Sequence, residues 1–85
     1  MTNRLFIGNI SYQTQESDLQ TEFANFGVVK SVKIITDRDS GRSKGFGFVE
    51  METASEAQEA IENLDGKSID GRPIRVSQAR ERKFS

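Results

Sequence analysis

The sequence predicts an α+β fold, a two-layer sandwich in which two helices cover one face of a four-stranded antiparallel sheet. Four short segments alternate apolar and polar residues, which is typical of strands, and two others place apolar residues at helical spacing. Their order is β-α-β-β-α-β, the ferredoxin-like arrangement, and right-handed crossovers put both helices on the same face. The 85 residues make one compact domain, which we expect over residues 1–80 with a short polar tail at 81–85.

The first half of the chain predicts a strand, a helix and a second strand. Leu5 and Ile7 alternate with Phe6 in the first strand. Thr14 is expected to cap the helix, and Tyr12 to pack the preceding loop against it. The apolar face of the helix consists of Leu19, Phe23 and Phe26. The predicted bounds are Arg4–Ile10, Gln15–Asn25 and Val28–Thr36.

The second half repeats this pattern. Val49 alternates with Phe48 in a third strand, and Ser55 with Gln58 has the spacing of a capping box at the start of the second helix. Pro73 cannot donate a backbone hydrogen bond, so the fourth strand is expected to lie at a sheet edge or to begin there. The predicted elements are a strand over Lys44–Met51, a helix over Ser55–Leu64, a turn at Asp70-Gly71 and a strand from Ile74.

The strand alternation decides which side chains leave the core. Because Leu5, Ile7 and Val49 suit the core, the residues between them must point from the uncovered face. The residues expected there are Phe6, Phe46 and Phe48, bordered by Lys33, Lys44 and Arg75. A small monomer rarely exposes such an apolar patch without using it. Gly45 and Gly47 share the inward parity and are expected to let a helix pack closely.

The net charge of −1 conceals an uneven distribution. Residues 13–29 and 53–66 hold seven acidic residues and no basic one, whereas twelve basic residues stand against six acidic ones elsewhere. We therefore expect acidic helices behind a basic sheet face, and local potential governs polyanion binding. Rings among cations suit unpaired nucleotides, because bases stack on the rings while phosphates meet Lys and Arg. Arg42 in the long loop and Arg80 after the last strand are further candidates for phosphate contacts.

The composition also excludes several functions. With no Cys and no His, disulfides, zinc-finger sites and thiolate or imidazole catalysis are excluded. No glycine loop that could cradle a phosphate opens a helix and no paired carboxylates mark a pocket, so we expect neither an enzyme nor a cofactor. No apolar run approaches the roughly 20 residues that span a bilayer, and the first residues lack the apolar stretch of a signal peptide. We expect a soluble cytoplasmic protein without membrane contact.

Two strand segments resemble the paired motifs of the RNA recognition motif family. Lys44–Met51, with the sequence KGFGFVEM, resembles the octamer of that family, and Leu5–Ile10, LFIGNI, looks like its hexamer. The likeness covers residues 4–80, and the chain is most similar to short single-domain bacterial members and to glycine-rich RNA-binding proteins. Met51 departs from the aromatic residue that usually ends the octamer. Because its parity is inward, we expect an adjusted core and no loss of binding.

The resemblance implies a role for each site residue. Phe6 and Phe48 would stack on successive bases, Phe46 would pack against a sugar or between riboses, and Lys44 would pair with a phosphate. The residues that would line the edges where bases are recognised are Asn9, Arg75, Ser77 and Gln78. We expect a monomer that binds single-stranded RNA, or single-stranded DNA, without catalysis and with a post-transcriptional role. The alternative is a protein-interaction module that uses the sheet or the acidic helices.

Overall fold

A computed structural model describes residues 3–36, 39 and 43–79, with backbone alone at residues 36, 43 and 44. The elements in this part of the chain are β1 (Arg4–Gly8), α1 (Glu16–Phe23), β2 (Val29–Thr36), β3 (Ser43–Met51), α2 (Ala54–Leu64), β4 (Ser68–Ile69), β5 (Arg72–Pro73) and β6 (Arg75–Gln78). Four strands form an antiparallel sheet in the order β2-β3-β1-β6, while β4 and β5 form a separate ribbon. The predicted α+β fold class is confirmed. The predicted boundary between domain and tail lies outside the described residues.

The core lies between the sheet and the two helices. Its buried side chains come from alternate strand residues and from one face of each helix, and they include Leu5, Ile7, Val49, Met51 and Val76 of the sheet, Leu19 and Phe23 of α1, and Ala57, Ala60 and Leu64 of α2. Phe26 is partly buried against the same cluster. Both helices therefore cover one sheet face, and none of the described elements covers the other.

The fourth strand of the sheet, β6, lies at an edge beside β1, as Pro73 predicts. Pro73 itself pairs with Ser68 in the β4–β5 ribbon, which the sequence pattern does not predict. Asp70 and Gly71 connect the two short strands and have φ values of 52° and 83°. Two consecutive left-handed residues are typical of a tight hairpin turn, which explains the Asp-Gly pair at this place.

The first helix begins one residue later than predicted. Its first residue is Glu16, and the backbone N–H of Gln15 donates to Oδ2 of Asp18 over 2.9 Å. Thr14, the predicted cap, instead donates from Oγ1 to Oδ2 of Asp70 over 2.7 Å. The Thr14 side chain therefore joins the start of α1 to the ribbon, and its assignment as N-cap was wrong.

The second helix is capped two residues earlier than predicted. Ala54 is its first residue, and Oγ1 of Thr53 accepts from the backbone N–H of Glu56 over 3.2 Å. The Thr53 N–H donates in turn to Oε1 of Glu56 over 3.1 Å, which completes a capping box. The prediction of Ser55 with Gln58 was wrong, because the overlapping Thr-x-x-Glu segment offers the same spacing with a charged acceptor.

Candidate nucleic-acid interface

Three phenylalanine rings meet on the sheet face opposite the helices. Phe6 of β1 pairs with Phe48 of β3 in the strand register, and Phe46 lies two residues earlier on the same side of β3. Ring centroids are 5.9 Å apart for Phe6 and Phe46, 5.7 Å for Phe6 and Phe48, and 6.5 Å for Phe46 and Phe48. These separations are typical of favourable aromatic pairs. We call these three residues the phenylalanine cluster.

The three rings differ in orientation. The planes of Phe6 and Phe46 are inclined by only 27°. Phe48 stands at 68° to Phe6 and at 89° to Phe46, so it presents its edge to both. The cluster therefore offers ring faces in two steeply inclined directions.

The burial pattern confirms the predicted strand parity. Leu5, Ile7 and Val49 are 0% exposed, whereas the alternating Phe6 and Phe48 are partly exposed. The rings are half-buried, which is less exposed than strand alternation alone predicts. The physical reason is that the three rings pack against one another.

The residue after Ile7 is a glycine that accommodates a ring of the cluster. A Cβ added at Gly8 would lie 3.2 Å from Cε2 of Phe6 and 3.9 Å from Cβ of Arg75. Because Gly8 has no side chain, the Phe6 ring can lie over the backbone of β1. The sequence pattern places Gly8 in the strand without indicating this contact.

The two glycines of β3 have a role other than the predicted one. A Cβ at Gly47 would collide with the carbonyl oxygen of Lys33 and lie 3.0 Å from Cα of Ile34, both on β2. Gly45 has a φ of 84°, a left-handed conformation that side chains disfavour. The expectation that these glycines make room for a helix was therefore wrong, since the close neighbour of Gly47 is an adjacent strand.

Three of the predicted polar residues border the phenylalanine cluster. Lys33 pairs with Phe48 in the β2–β3 register, and Ser77 pairs with Phe6 in the β1–β6 register. Arg75 pairs with Gly8 at the same edge, and all three are exposed. The guanidinium Nε of Arg75 lies 3.3 Å from Oδ1 of Asp65, while its side chain stays 75% exposed.

Two other predicted residues are engaged elsewhere. Asn9 directly follows β1, has a φ of 57° and donates from Nδ2 to the carbonyl oxygen of Pro73 over 2.7 Å. Its Oδ1 accepts from Nη2 of Arg72 over 2.6 Å. Gln78 donates from Nε2 to Oε1 of Gln58 on α2 over 3.3 Å, which places it on the helical side of the sheet. The geometry therefore does not bring Asn9 or Gln78 to the cluster. The side chain of Lys44, with Arg42 and Arg80, lies outside the described residues.

The helical layer carries many exposed acidic residues, but the sheet layer is not free of them. Exposed acidic residues of the helices include Glu16, Asp18, Glu59 and Glu62. On the sheet face, Glu50 pairs with Arg4 in the register beyond Phe48, so this face also carries an acidic residue. Within residues 3–36, 39 and 43–79, no cluster of acidic side chains is suited to a metal ion, and no helix is long and apolar enough to cross a bilayer.

The chain is similar to known proteins over almost its whole length. The family model of the RNA recognition motif matches residues 5–75. The chain is 48% identical over 79 residues to glycine-rich RNA-binding protein 2 of Sorghum bicolor, a match that covers 93% of this chain and 47% of that protein. It thus spans less than half of that relative, and less than a third of chloroplastic ribonucleoproteins that it also matches.

Solved structures show the same likeness. The crystal structure of RNA binding protein PG1 is 42% identical with a TM-score of 0.89, over 98% of this chain and 100% of that one. The structure of the Rna15 RRM with bound RNA (GU) is 26% identical with a TM-score of 0.85, over 100% of this chain and 90% of that one.

Proposed function

Because this chain belongs to the RNA recognition motif family, we propose that it binds single-stranded RNA on the open face of its sheet. Bases stack on the phenylalanine cluster, basic residues at its rim contact phosphates, and no covalent bond of the RNA changes. The observation that carries this proposal is the cluster itself, three partly exposed rings in contact on a face that the described helices leave uncovered. A small monomer rarely presents such a surface without a partner for it.

Each ring of the cluster has an assigned role. Phe6 and Phe48 each take one base, and Phe46 packs against a sugar. Base–aromatic stacking contributes about 1–3 kcal/mol per base. After the ordering of a flexible RNA strand is subtracted, we expect a binding free energy of about 8 kcal/mol, which corresponds to micromolar affinity.

The rim of the cluster supplies the polar contacts. In this proposal Lys33 and Arg75 contact phosphates and Ser77 contacts the base on Phe6, which is supported by the strand pairing of Lys33 with Phe48 and of Ser77 with Phe6. Arg42, Lys44 and Arg80 are further phosphate contacts in this proposal, on the ground of their sequence positions. Asn9 and Gln78 are left out, because their side chains are bonded to residues away from the rings.

The oligomeric state, compartment and cellular role of the domain are proposed from its likeness to the RNA recognition motif family. We infer that it acts as a non-catalytic monomer in the cytoplasm, on RNA after transcription. Its relatives are named as RNA-binding proteins and ribonucleoproteins, which supports the RNA partner. Some are also named chloroplastic or mitochondrial, so the compartment needs its own test with a fluorescent fusion of the full-length protein.

NMR titration with a mixed-sequence RNA of about ten nucleotides tests the proposed site. We expect ring resonances of the phenylalanine cluster to shift, while those of the buried Phe23 stay in place as an internal control. Unshifted cluster resonances at high micromolar RNA would exclude the proposal. A parallel titration with single-stranded DNA of the same sequence measures the contribution of the 2′-hydroxyl.

A second candidate function is protein docking on the helical side. The observation in its favour is a surface cleft between α1 and β4 whose lining includes Asp18, Glu22 and Asp70. Salt dependence separates the two candidates. For RNA binding, the logarithm of the affinity should fall as the logarithm of the salt concentration rises, with a slope of about −0.7 per phosphate contact. If the cleft takes no part in RNA binding, Asp18→Asn should leave this slope unchanged.

A further inference from the structure

We propose that Tyr12 extends the RNA-binding surface beyond the end of β1 by stacking on one further nucleotide, an inference that rests on the proposed function. Tyr12 is 69% exposed, more than any other large hydrophobic residue in the described part of the chain. The expectation that it packs the loop against α1 was therefore wrong. An aromatic face this open can take a base without displacing another side chain.

The turn that carries Tyr12 is fixed on both sides of it. Ser11 and Thr14 are buried, with 7% and 4% of their surface exposed. The Thr14 N–H donates to the Ser11 carbonyl oxygen over 3.1 Å, and the Gln13 N–H donates to Ser11 Oγ over 3.2 Å. Thr14 is bonded in turn to Asp70. Because the turn is already ordered, a nucleotide on the Tyr12 ring binds without the entropic cost of fixing the loop.

This turn lies at the end of the sheet where β3 begins. The Ile10 N–H donates to the carbonyl oxygen of Gly45 over 2.8 Å, and Gly45 directly precedes Phe46. Tyr12 follows Ile10 by two residues, so their Cα atoms are at most about 7.6 Å apart. An RNA strand that leaves the phenylalanine cluster across this end of the sheet therefore passes within reach of Tyr12.

The charges at this end of the sheet favour a nucleotide over an apolar ligand. The exposed Arg72 is held by Oδ1 of Asn9 over 2.6 Å, just beyond β1. Since Asn9 is neutral, it orients the guanidinium without cancelling its charge, and a phosphate can still bind there. The nearby carboxylate of Asp70 already accepts from Thr14. A ring and an oriented cation beyond one strand end are the two groups that a nucleotide requires.

The composition of the chain provides a selective probe. Tyr12 is the one tyrosine of a chain without tryptophan, so tyrosine fluorescence reports on this residue alone. The test compares a mixed-sequence RNA of about ten nucleotides with one of about three nucleotides, which is long enough to occupy the phenylalanine cluster but not Tyr12 as well. The longer RNA is expected to quench the fluorescence, and the shorter one to leave it unchanged.

Three substitutions at one position test the chemistry. Tyr12→Ala is expected to weaken binding of the longer RNA about tenfold, which is the loss of one stacked base, and to leave binding of the shorter RNA unchanged. Tyr12→Phe keeps the ring and should stay within about twofold of the original affinity. Tyr12→Leu keeps an apolar side chain without a ring, so it should bind as weakly as Tyr12→Ala. Because position 12 is exposed, we expect all three variants to keep the far-UV circular dichroism of the original fold.

The outcomes separate this inference from the proposed function. The role of Tyr12 is overturned if the unaltered protein binds the longer RNA with unchanged tyrosine fluorescence, or if Tyr12→Leu binds that RNA with full affinity. Neither result contradicts the proposed role of the phenylalanine cluster. If an added protein changes the tyrosine fluorescence and RNA does not, the assigned role of Tyr12 is again wrong and the residue contacts a protein partner. If neither RNA binds the unaltered protein, the proposed function itself fails.

Discussion

The carboxylate of Glu16 on α1 accepts a hydrogen bond from the backbone N–H of Ile34 on β2, with 2.9 Å between Oε2 and N. On an edge strand such as β2, a backbone N–H that points away from the sheet finds no strand partner. The opposite edge has the same arrangement, because Oδ1 of Asp65 accepts from the N–H of Val76 on β6 over 2.9 Å. At each edge, therefore, a carboxylate occupies a backbone N–H that could otherwise donate a hydrogen bond to an added strand.

Removal of the Glu16 carboxylate should destabilise the fold. Glu16→Ala leaves the partly buried Ile34 N–H without its acceptor, so the free energy of unfolding is expected to fall by about 1–2 kcal/mol. Glu16→Gln retains an acceptor oxygen and should recover most of this loss. The exposed Glu62→Ala serves as the matched control, with a change within about 0.5 kcal/mol. Urea unfolding followed by circular dichroism measures all three, and equal stability of the Ala and Gln variants would contradict the assigned bond.

Phe48 and Val49 are neighbours in sequence with opposite effects. Phe48→Ala should weaken RNA binding by about 1–3 kcal/mol. It should cost at most about 1 kcal/mol of stability, because the partly exposed ring lies outside the core and its removal leaves no buried cavity. Val49→Ala, at a fully buried position, should lower stability by about 2 kcal/mol and leave the affinity of the folded protein intact. Titration and thermal unfolding of both variants check this, and an unfolded Phe48→Ala would show that the assignment of faces is wrong.

Gly8 and Gly47 should respond differently to an added methyl group. In Gly47→Ala the new Cβ meets the rigid backbone of β2 at Lys33, so we expect a loss of about 3 kcal/mol or an unfolded protein. In Gly8→Ala it meets the movable ring of Phe6, 3.2 Å away. We expect that ring to shift, RNA binding to weaken and stability to change by about 1 kcal/mol at most. Ring resonances and unfolding curves distinguish the two, and equal destabilisation would argue against this difference.

The cap of α2 offers a test with a built-in comparison. Thr53→Ala removes the acceptor for the Glu56 N–H and should lower the free energy of unfolding by about 1 kcal/mol. Ser55→Ala changes a residue inside the helix and should have an effect within about 0.5 kcal/mol. Chemical denaturation of the pair decides between the two caps, and a larger loss for Ser55→Ala would favour the cap that the sequence first predicts.

The faces of the strands could be predicted from sequence because alternation is a local property. Because Leu5 and Ile7 face the core, Phe6 between them must point to the opposite face of the sheet, and Val49 fixes the direction of Phe48 in the same way. The start of α2 could not be placed to the residue. Thr53 and Ser55 each begin a segment with capping-box spacing, and the structure closes the box between Thr53 and the charged Glu56.

The partners of individual side chains could not be predicted, because they depend on contacts between distant parts of the chain. Asn9 reaches Pro73 and Arg72 across more than sixty residues of sequence, so its departure from the rings has no local indication. Gln78 pairs with the buried Leu5, so alternation turns its side chain toward the helices, but the local sequence gives no indication of its partner Gln58 on α2. Tyr12 shows the same limit, since a loop aromatic can pack or stand open with identical neighbours in sequence.

The 68° between the planes of Phe6 and Phe48 limits the shape of any nucleic acid that lies on both. Two bases flat against these rings must tilt against each other by a comparable angle, so the sugar–phosphate chain between them has to bend sharply. Successive bases in a double helix are nearly parallel to each other, so they cannot both lie flat on these two rings. If both rings stack on bases as proposed, the angle between them favours a pliable, unwound strand without any contact to a base edge.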